Sequence, residues 1–534
     1  MLDGDPGGPT TDATADATMS LLIGLDIGTT SVKVGIYEAG GRQSASVGRE
    51  YALDHPAPER AEADAETYWT ASVSAIREAL TVAGGDPTRV AAIAVSSQGE
   101  TVIAVDEHGR PLGPAIVWLD NRAVDEAHEL QARFGDAGVY DHTGVPTVTP
   151  TWTACKILWL RRHEPARFGS AARFLLVEDL VLHRLTGRFV TEGGVQSTTL
   201  LFDIRSHAWW LEMLEAVGIG PEQLPELMPP GAIVGTLTAE AAAALGLPAN
   251  VKIVAGGMDQ GAGAVGVGNF GGVGHVGGGI VSESTGGALT LQATVDRHGG
   301  DASGQTPVYV HSAPDRYLYC PVCPTGGMAL TWFRDQFGAE EVSRASHEGR
   351  HAYDLLTELA AEVPPGADGL TMLPHLMGAF SPEYEPEARG VFYGFTLHHG
   401  KPHFARAVLE AVAFMLRRNL ELLAQAGAPA TEIRSHGGGA RSALWNQIKA
   451  DACGLPVVTL AGEDAAVRGD AMLAGVATGA FPDLAAAAAA MVRVERRFEP
   501  DLGTRAAYDD AYGRYVRLFE ALRPMFSDRP IPPR

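Results

Sequence analysis

From Leu21 the chain runs apolar to Asp26, turns through Gly28 and Thr29, and resumes with Val32, Val34 and Ile36 at every second position. A period of two on both sides of a Gly/Thr turn predicts a β-hairpin over residues 21–42. Residues 65–83 instead place Trp69, Val73, Ile76 and Leu80 three or four apart, the spacing of one helix face. After a GGDP turn, VAAIAV (90–95) predicts a strand, and VKIVA (251–255) predicts another that ends in GGMDQGAGAVGVG, where the glycine density implies close backbone packing or a hinge. The segment GHVGGGIVSESTGGALTLQ (274–292) repeats the first plan of strand, Thr/Gly turn and strand, so the two halves read as versions of one unit. Further on, Val408, Val412, Met415 and Leu423 line one side of a helix, and IRSH, GGGAR (437–441) and SALWNQIKADAC form strand, glycine loop and helix. The alanine run 485–490 is a strong helix former. Mixed α/β architecture follows.

Length and charge narrow the picture. A chain of 534 residues exceeds the ~250–300 at which single cores stop growing, so two domains of similar size are expected, here 19–266 and 267–534 after a solvated tail over 1–18. The net charge of −23 repels a phosphate backbone, which argues against a nucleic-acid partner. An anionic nucleotide would then be held by local donors and a metal ion, with Mg²⁺ the natural choice. Four cysteines without a spaced framework fit a reducing compartment, and nothing before Met19 reads as a secretory signal or membrane span, so a cytoplasmic, membrane-free setting is expected.

Several turns carry candidate chemistry. In DIGTTSVK, Asp26 stands at a strand end, followed by Gly28, Thr29, Thr30 and Ser31, and then Lys33. Backbone N–H groups there can bind phosphate oxygens, Lys33 can neutralise charge and Asp26 can orient Mg²⁺, although a plain hairpin turn uses the same residue types. STGG, with Thr285 and Gly287, is the matching turn in the second half, and the pair points to a nucleotide in a cleft between domains. Gly438, Gly439 and Ala440 in GGGAR permit close approach of a flat ligand such as adenosine; the loop is not a Walker A sequence. Asp259, at the end of a strand, can serve as the base in phosphoryl transfer to an alcohol, or simply cap a helix. Gln98 and Glu100 in SSQGET can bond the hydroxyls of a polyol. Cys320 and Cys323 lack zinc-spaced partners and read as buried thiols, and HHGKPH (398–403) reads as a surface loop for want of a carboxylate or thiol at matching spacing.

Taken in order, DIGTTSVK, AIVWLDNR, TGVP with CKILWL around Lys156, LTGRFVTEGG, AGGMDQGAGAVGVG, PHLMGAFSPEYEPEARG, the stretch from Gly394 to Glu410 and GGGARSALWNQIKADACGLPV resemble the FGGY family of carbohydrate kinases, with a layout closest to its xylulose-kinase-like members. The resemblance runs from about Leu21 to about Phe481. It implies two actin-like (ribonuclease H-like) α/β domains with a nucleotide and sugar cleft between them, and ATP-dependent phosphorylation of a small sugar or polyol such as a pentulose, with glycerol, gluconate or another polyol as the alternative acceptor and a non-catalytic actin-like nucleotide-binding sensor as the alternative of another class. It further implies Asp259 as catalytic base, Asp26 as the magnesium residue, and the turns at 28–31 and 285–287 with the loop at 438–440 as the ATP site. Gln98, Glu100, Asp259 and Gln260 are the implied acceptor contacts, and a homodimer is allowed. Gly99 stands where glycerol kinases carry arginine, and Arg468-Gly469-Asp470 replaces a usual Gly-Ala-Ala, departures that bear on the acceptor and on the ATP site.

Overall fold

The hairpin expected after Leu21 forms as β1 (Leu21–Ile27) and β2 (Ser31–Glu38), antiparallel with Asp26 opposite Lys33, and β3 (Gln43–Glu50) extends it outward. The computed structural model describes residues 20–526 except 273, 275, 300, 302 and 463, so the tail expected over 1–18 lies outside the described residues. α1 (Glu66–Ala83) leads into β4 (Val90–Ser97), which runs parallel to β1. α2 (Val177–Thr186), β5 (Ile233–Thr236) and β6 (Lys252–Met258) follow, and α3 (Asp259–Gly266) starts where β6 stops. The first sheet has the order β5-β6-β4-β1-β2-β3, with β6, β4 and β1 parallel.

The second sheet repeats this plan. β7 (Ile280–Thr285) and β8 (Leu289–Val295) form its hairpin, β9 (Val308–Val310) and β10 (Tyr317–Tyr319) lie beyond, and β11 (Val322–Cys323) pairs with β8. After α4 (Lys401–Gln425) come β12 (Glu432–His436), α5 (Ala443–Cys453), β13 (Val457–Leu460), α6 (Ala465–Ala477), α7 (Leu484–Met491), β14 (Val494–Phe498) and α8 (Arg505–Phe526). The order β9-β10-β8-β7-β12-β13-β14, with β7, β12 and β13 parallel, reproduces a hairpin beside three parallel strands and an antiparallel edge.

The alternation of β1 decides what faces what. Leu21, Ile23, Leu25 and Ile27 pack with Tyr68, Ile76 and Leu80 of α1 and Leu180 of α2, whereas Leu22 points to the other face, against Ala471, Met472 and Leu473 of α6. Asp26 shares the parity of Leu22 and therefore faces α6. That helix, drawn from near the end of the chain, lies close on the first sheet because Gly24 is small: a Cβ there would meet the Val467 carbonyl oxygen at 1.9 Å. Gly469 likewise lets α6 cross α3, since its Cβ would meet the Ala262 carbonyl oxygen at 1.9 Å.

Two helices differ in detail from their sequence patterns. In α1 the buried residues are Tyr68, Ser72, Ala75, Ile76, Ala79 and Leu80, while Trp69 and Val73 are only half-buried. Ser72, Ala75 and Ala79 fill the buried face between Tyr68, Ile76 and Leu80, so that face mixes small and large side chains. α4 is buried on all sides from Ala405 to Leu416, because it packs among other helices as well as against the second sheet, and its internal charges Arg406 and Glu410 pair at 2.7 Å.

Under the end of β6 lies a layer of buried acids. Glu178 accepts the Gly257 N–H at 3.1 Å, and burial first, then Glu192 and Asp179, raises its carboxyl far above the usual range. A carboxyl that is neutral when folded and ionised when unfolded makes folding less favourable as pH rises above its unfolded pKa of about 4.3. Glu178→Gln keeps the shape without the proton. Its stability relative to the parent protein is expected to improve by up to ~1.4 kcal/mol per pH unit over that window, measured by urea denaturation between pH 5 and pH 8. A difference that does not change with pH would contradict the neutral state of Glu178.

Candidate active site

The strand ends of the two sheets meet at a cavity of about 220 Å³, lined by Asp26, Lys33, Asp259, Gln260, Ser284 and His436 among others. Asp26 arrives on β1, Lys33 on β2 and Asp259 as the first residue of α3, where its Oδ1 accepts the Gln260 N–H at 2.6 Å. Burial, reinforced by the Asp26 charge, pushes the Asp259 carboxyl up to about 7, against opposing effects of the Gln260 N–H and Lys33. Burial likewise lifts Asp26 to about 6, although Lys33 and a hydrogen bond from Ser96 pull it down.

Ser96 joins this centre to α6, its hydroxyl lying 3.2 Å from Asp26 Oδ1 and 2.8 Å from Asp470 Oδ2. One hydroxyl proton serves one of the two carboxyls. Asp470, raised far above the usual range by burial and then by Asp26, supplies the other hydrogen as the neutral acid. Lys33 pairs with Asp464, the residue before α6, at 2.8 Å. Several carboxyls thus crowd a buried space in which Lys33 is the one lysine or arginine among the described lining residues. Such a set of hard oxygen donors suits a divalent cation of the Mg²⁺ type.

Beside Asp259 lies Glu100, which has a left-handed backbone (φ 58°). Its carbonyl accepts from Thr153 Oγ1 at 3.1 Å and from Lys156 Nζ at 3.3 Å, and its N–H donates to Thr198 Oγ1 at 3.2 Å. Three tethers therefore hold a strained residue in place. Burial raises the Glu100 carboxyl to about 8, with Lys156 opposing and Asp259 adding to the shift. Lys156 is fully buried and also donates to the Thr151 carbonyl at 2.6 Å, so it staples the 96–101 and 147–153 loops together.

A second cavity of about 410 Å³ opens between the STGG turn and the glycine loop, lined by Thr285, Gly286, Gly287, Met328, Gly439 and Trp445 among others. Apolar side chains and exposed backbone give it walls suited to a flat, partly polar ring. Gly438 also lines it, whereas Ala440 faces a neighbouring cavity of about 680 Å³ that shares Lys33 and His436 with the acidic one. The glycine loop thus stands between a mainly apolar pocket, which Asp354 and Arg441 also line, and a charged one.

Not every expected residue points inward. Gly28, Thr29 and Ser31 are half-buried and Thr30 is exposed, so this turn forms a rim; Thr29 Oγ1 accepts from the Trp118 indole at 2.8 Å. Gln98 is buried, with its amide beside the Tyr68 hydroxyl, and does not line the acidic cavity. The Thr285 hydroxyl is engaged by Glu283 and Lys449, which leaves backbone groups and glycines as what that turn offers a ligand. The acidic cavity adds His436 and Asp464 to the expected residues and takes Ser284 from the expected STGG turn. His436 had one legible signal, its position at a strand end before three glycines, while Asp464 meets Lys33 from 431 positions away.

The remaining motifs are structural. Cys320 and Cys323 are buried, and burial pushes both thiols up to about 12. The HHGKPH segment does gain a carboxylate, because the fold brings Asp368 within 3.3 Å of His403 Nε2 and 3.9 Å of His398 Nε2. However, His403 Nδ1 accepts the Gly400 N–H at 3.1 Å, so the neutral ring keeps its proton on Nε2 facing Asp368. That is a helix-start hydrogen bond rather than a lone pair offered to a metal.

Two family models match this chain: the N-terminal domain of the FGGY family of carbohydrate kinases over residues 21–266 and the C-terminal domain of that family over residues 301–478. A xylulose kinase of Bacillus subtilis is 29% identical over 502 residues, 94% of this chain and 97% of that protein. A gluconokinase of the same organism is 31% identical over 464 residues, 86% of this chain and 88% of that protein. The crystal structure of xylulose kinase from Rhodospirillum rubrum superposes with a TM-score of 0.86 at 31% identity, covering 95% of this chain and 100% of that one.

Proposed function

This chain belongs to the FGGY family of carbohydrate kinases, and from that premise we propose that it transfers the γ-phosphoryl group of ATP to a hydroxyl of a small sugar or polyol, with a pentulose such as xylulose as acceptor. The observation that carries the proposal is the Asp259 carboxyl: it stands at a strand end in the acidic cavity, with its pKa lifted to about 7, the range a general base requires.

In this reading Asp259 orients the attacking hydroxyl and takes its proton late, as a loose phosphoryl-transfer transition state allows. Glu100, with a pKa near 8, can donate as well as accept toward the other acceptor hydroxyls, and Lys156 keeps its backbone in place. Asp26 would hold Mg²⁺, which when bound neutralises charge on the phosphates. Lys33 draws the phosphate oxygens toward Asp259, the turns at 28–31 and 285–287 flank them, and Gly438 and Gly439 border the adenosine. Closure of the two halves, residues 19–266 and 267–534, would exclude water that otherwise competes for the phosphoryl group. Buried free thiols and the use of ATP favour a cytoplasmic setting. Among the described residues no helix is long and apolar enough to cross a membrane.

The acceptor loop bears on the substrate. A Cβ on Gly99 would meet Thr198 Oγ1 at 2.4 Å, so the arginine that glycerol kinases carry at this position has no room here. Gluconate remains the second reading, because a gluconokinase is as similar as a xylulose kinase.

Asp259→Asn is expected to keep the fold and ATP binding while lowering turnover by at least ~10², the scale of general-base loss. Coupled ADP release across xylulose, ribulose, gluconate and glycerol reads both the acceptor and this dependence, and near-normal turnover in the variant removes Asp259 from the role. Because the base works only when ionised, and burial, the largest cause of its upward shift, persists with Mg²⁺ on Asp26, kcat/KM for the acceptor should fall as pH drops through an acid limb above the ordinary aspartate range. A limb near pH 4 would mean that Asp259 titrates as an ordinary aspartate.

A further inference from the structure

Directly beneath the STGG turn lies a charged cluster that the proposed chemistry does not use. Lys449 of α5 and Glu283 of β7 are both fully buried and meet at 2.5 Å. Lys449 Nζ also donates to Thr285 Oγ1 at 2.9 Å, Thr285 Oγ1 donates to Glu283 Oε2 at 2.7 Å, and the Ser435 hydroxyl donates to Glu283 Oε1. The ammonium stands 5.3 Å from the centre of the Trp445 ring. Burial by itself would raise the Glu283 carboxyl; the Lys449 charge and the three hydrogen bonds bring it below its ordinary value.

A pair of charges taken fully out of water is no more stabilising than a well-packed apolar pair, so stability alone does not account for this one. Its location does. Thr285 and Trp445 both line the apolar cavity, and Ser435 is one residue from the strand end that leads into the glycine loop. The loop touches the turn directly, since a Cβ on Gly439 would meet the Thr285 Cβ at 2.6 Å. The position of the Thr285 side chain therefore sets the distance between the two walls of the pocket.

We propose that Lys449 and Glu283 are positioning residues for the nucleotide: their ion pair locks the Thr285 hydroxyl and so holds the Gly286–Gly287 turn at the spacing from Gly438–Gly439 that admits ATP. The inference rests on that pocket being the nucleotide site.

ATP affinity, measured by titration calorimetry with Mg²⁺, and Tm test it in the full chain. Lys449→Met strands the Glu283 charge, and should lower Tm and weaken ATP binding by on the order of tenfold. Glu283→Leu combined with Lys449→Met replaces the pair by apolar side chains. This double variant should recover the parental Tm while ATP binding stays weakened, because Thr285 has lost both partners. Parental Tm together with parental ATP affinity in the double variant would reduce the pair to a purely structural role and overturn the proposal. Should neither charge variant fold, Thr285→Val leaves the ion pair and removes only the linking hydroxyl; it should weaken ATP binding by roughly threefold or more, and unchanged affinity overturns the proposal. Gly439→Val separates the two levels of inference. If it leaves ATP affinity untouched, the pocket is not the nucleotide site; if it abolishes binding while the double variant binds normally, the site stands and the positioning role falls.

Discussion

The crossing of α6 over α3 and the first sheet is the contact on which the centre of the molecule depends. At Gly24 and Gly469 backbone meets backbone so closely that any side chain would collide with a carbonyl oxygen. One helix from the end of the chain thereby delivers Asp464 to Lys33 and Asp470 to Ser96, while α3 presents Asp259 to the same space. Hydrophobic packing of Ala471, Met472 and Leu473 against Leu22, Ala94 and Val254 supplies the adhesion, and the missing side chains set how near it can come.

That closeness has an electrostatic consequence. Asp26, Asp259, Glu100 and Asp470 all have raised pKa values, and in each the largest cause is removal from water. The acidic cavity itself sets Asp26, Asp259 and Asp464 against Lys33, the one lysine or arginine among its described lining residues. A phosphate-bearing ligand with its cation, rather than the bare anion, complements such a site. The second half handles charge differently: Glu283 is matched by a buried lysine and stays ionised beneath a mainly apolar pocket that Asp354 and Arg441 also line. The STGG turn therefore stands between two spaces, with Ser284 on the acidic cavity and Thr285, Gly286 and Gly287 on the larger pocket.

Much of this was legible along the chain because local patterns report local structure. The hairpin at 21–42, the strands at 90–97 and 252–258, the second hairpin after Ile280 and the strand–glycine–helix unit at 432–453 all carry their period or their turn residues in a short window. The helix over 66–83 was legible but its face was shifted, since Ala75 and Ala79 are buried for lack of size and do not announce themselves as core. Asp26 and Asp259 were legible as strand-end carboxylates. Thr285 was recognised as part of a turn, but not as a residue whose hydroxyl is already spoken for, because Lys449 lies 164 positions away.

The sequence by itself determined the α/β class, the repetition of one unit in two halves, the glycine turns and the candidate base, since each rests on neighbours within a few residues. The tertiary structure decided which groups share a cavity, which carboxyls are neutral, that α6 serves the first sheet rather than only its own half, and that Asp368 reaches the histidines near the start of α4. Those outcomes depend on burial and on pairs separated by scores to hundreds of positions. Desolvation and long-range contact exist only once the chain has folded, so no local pattern carries them.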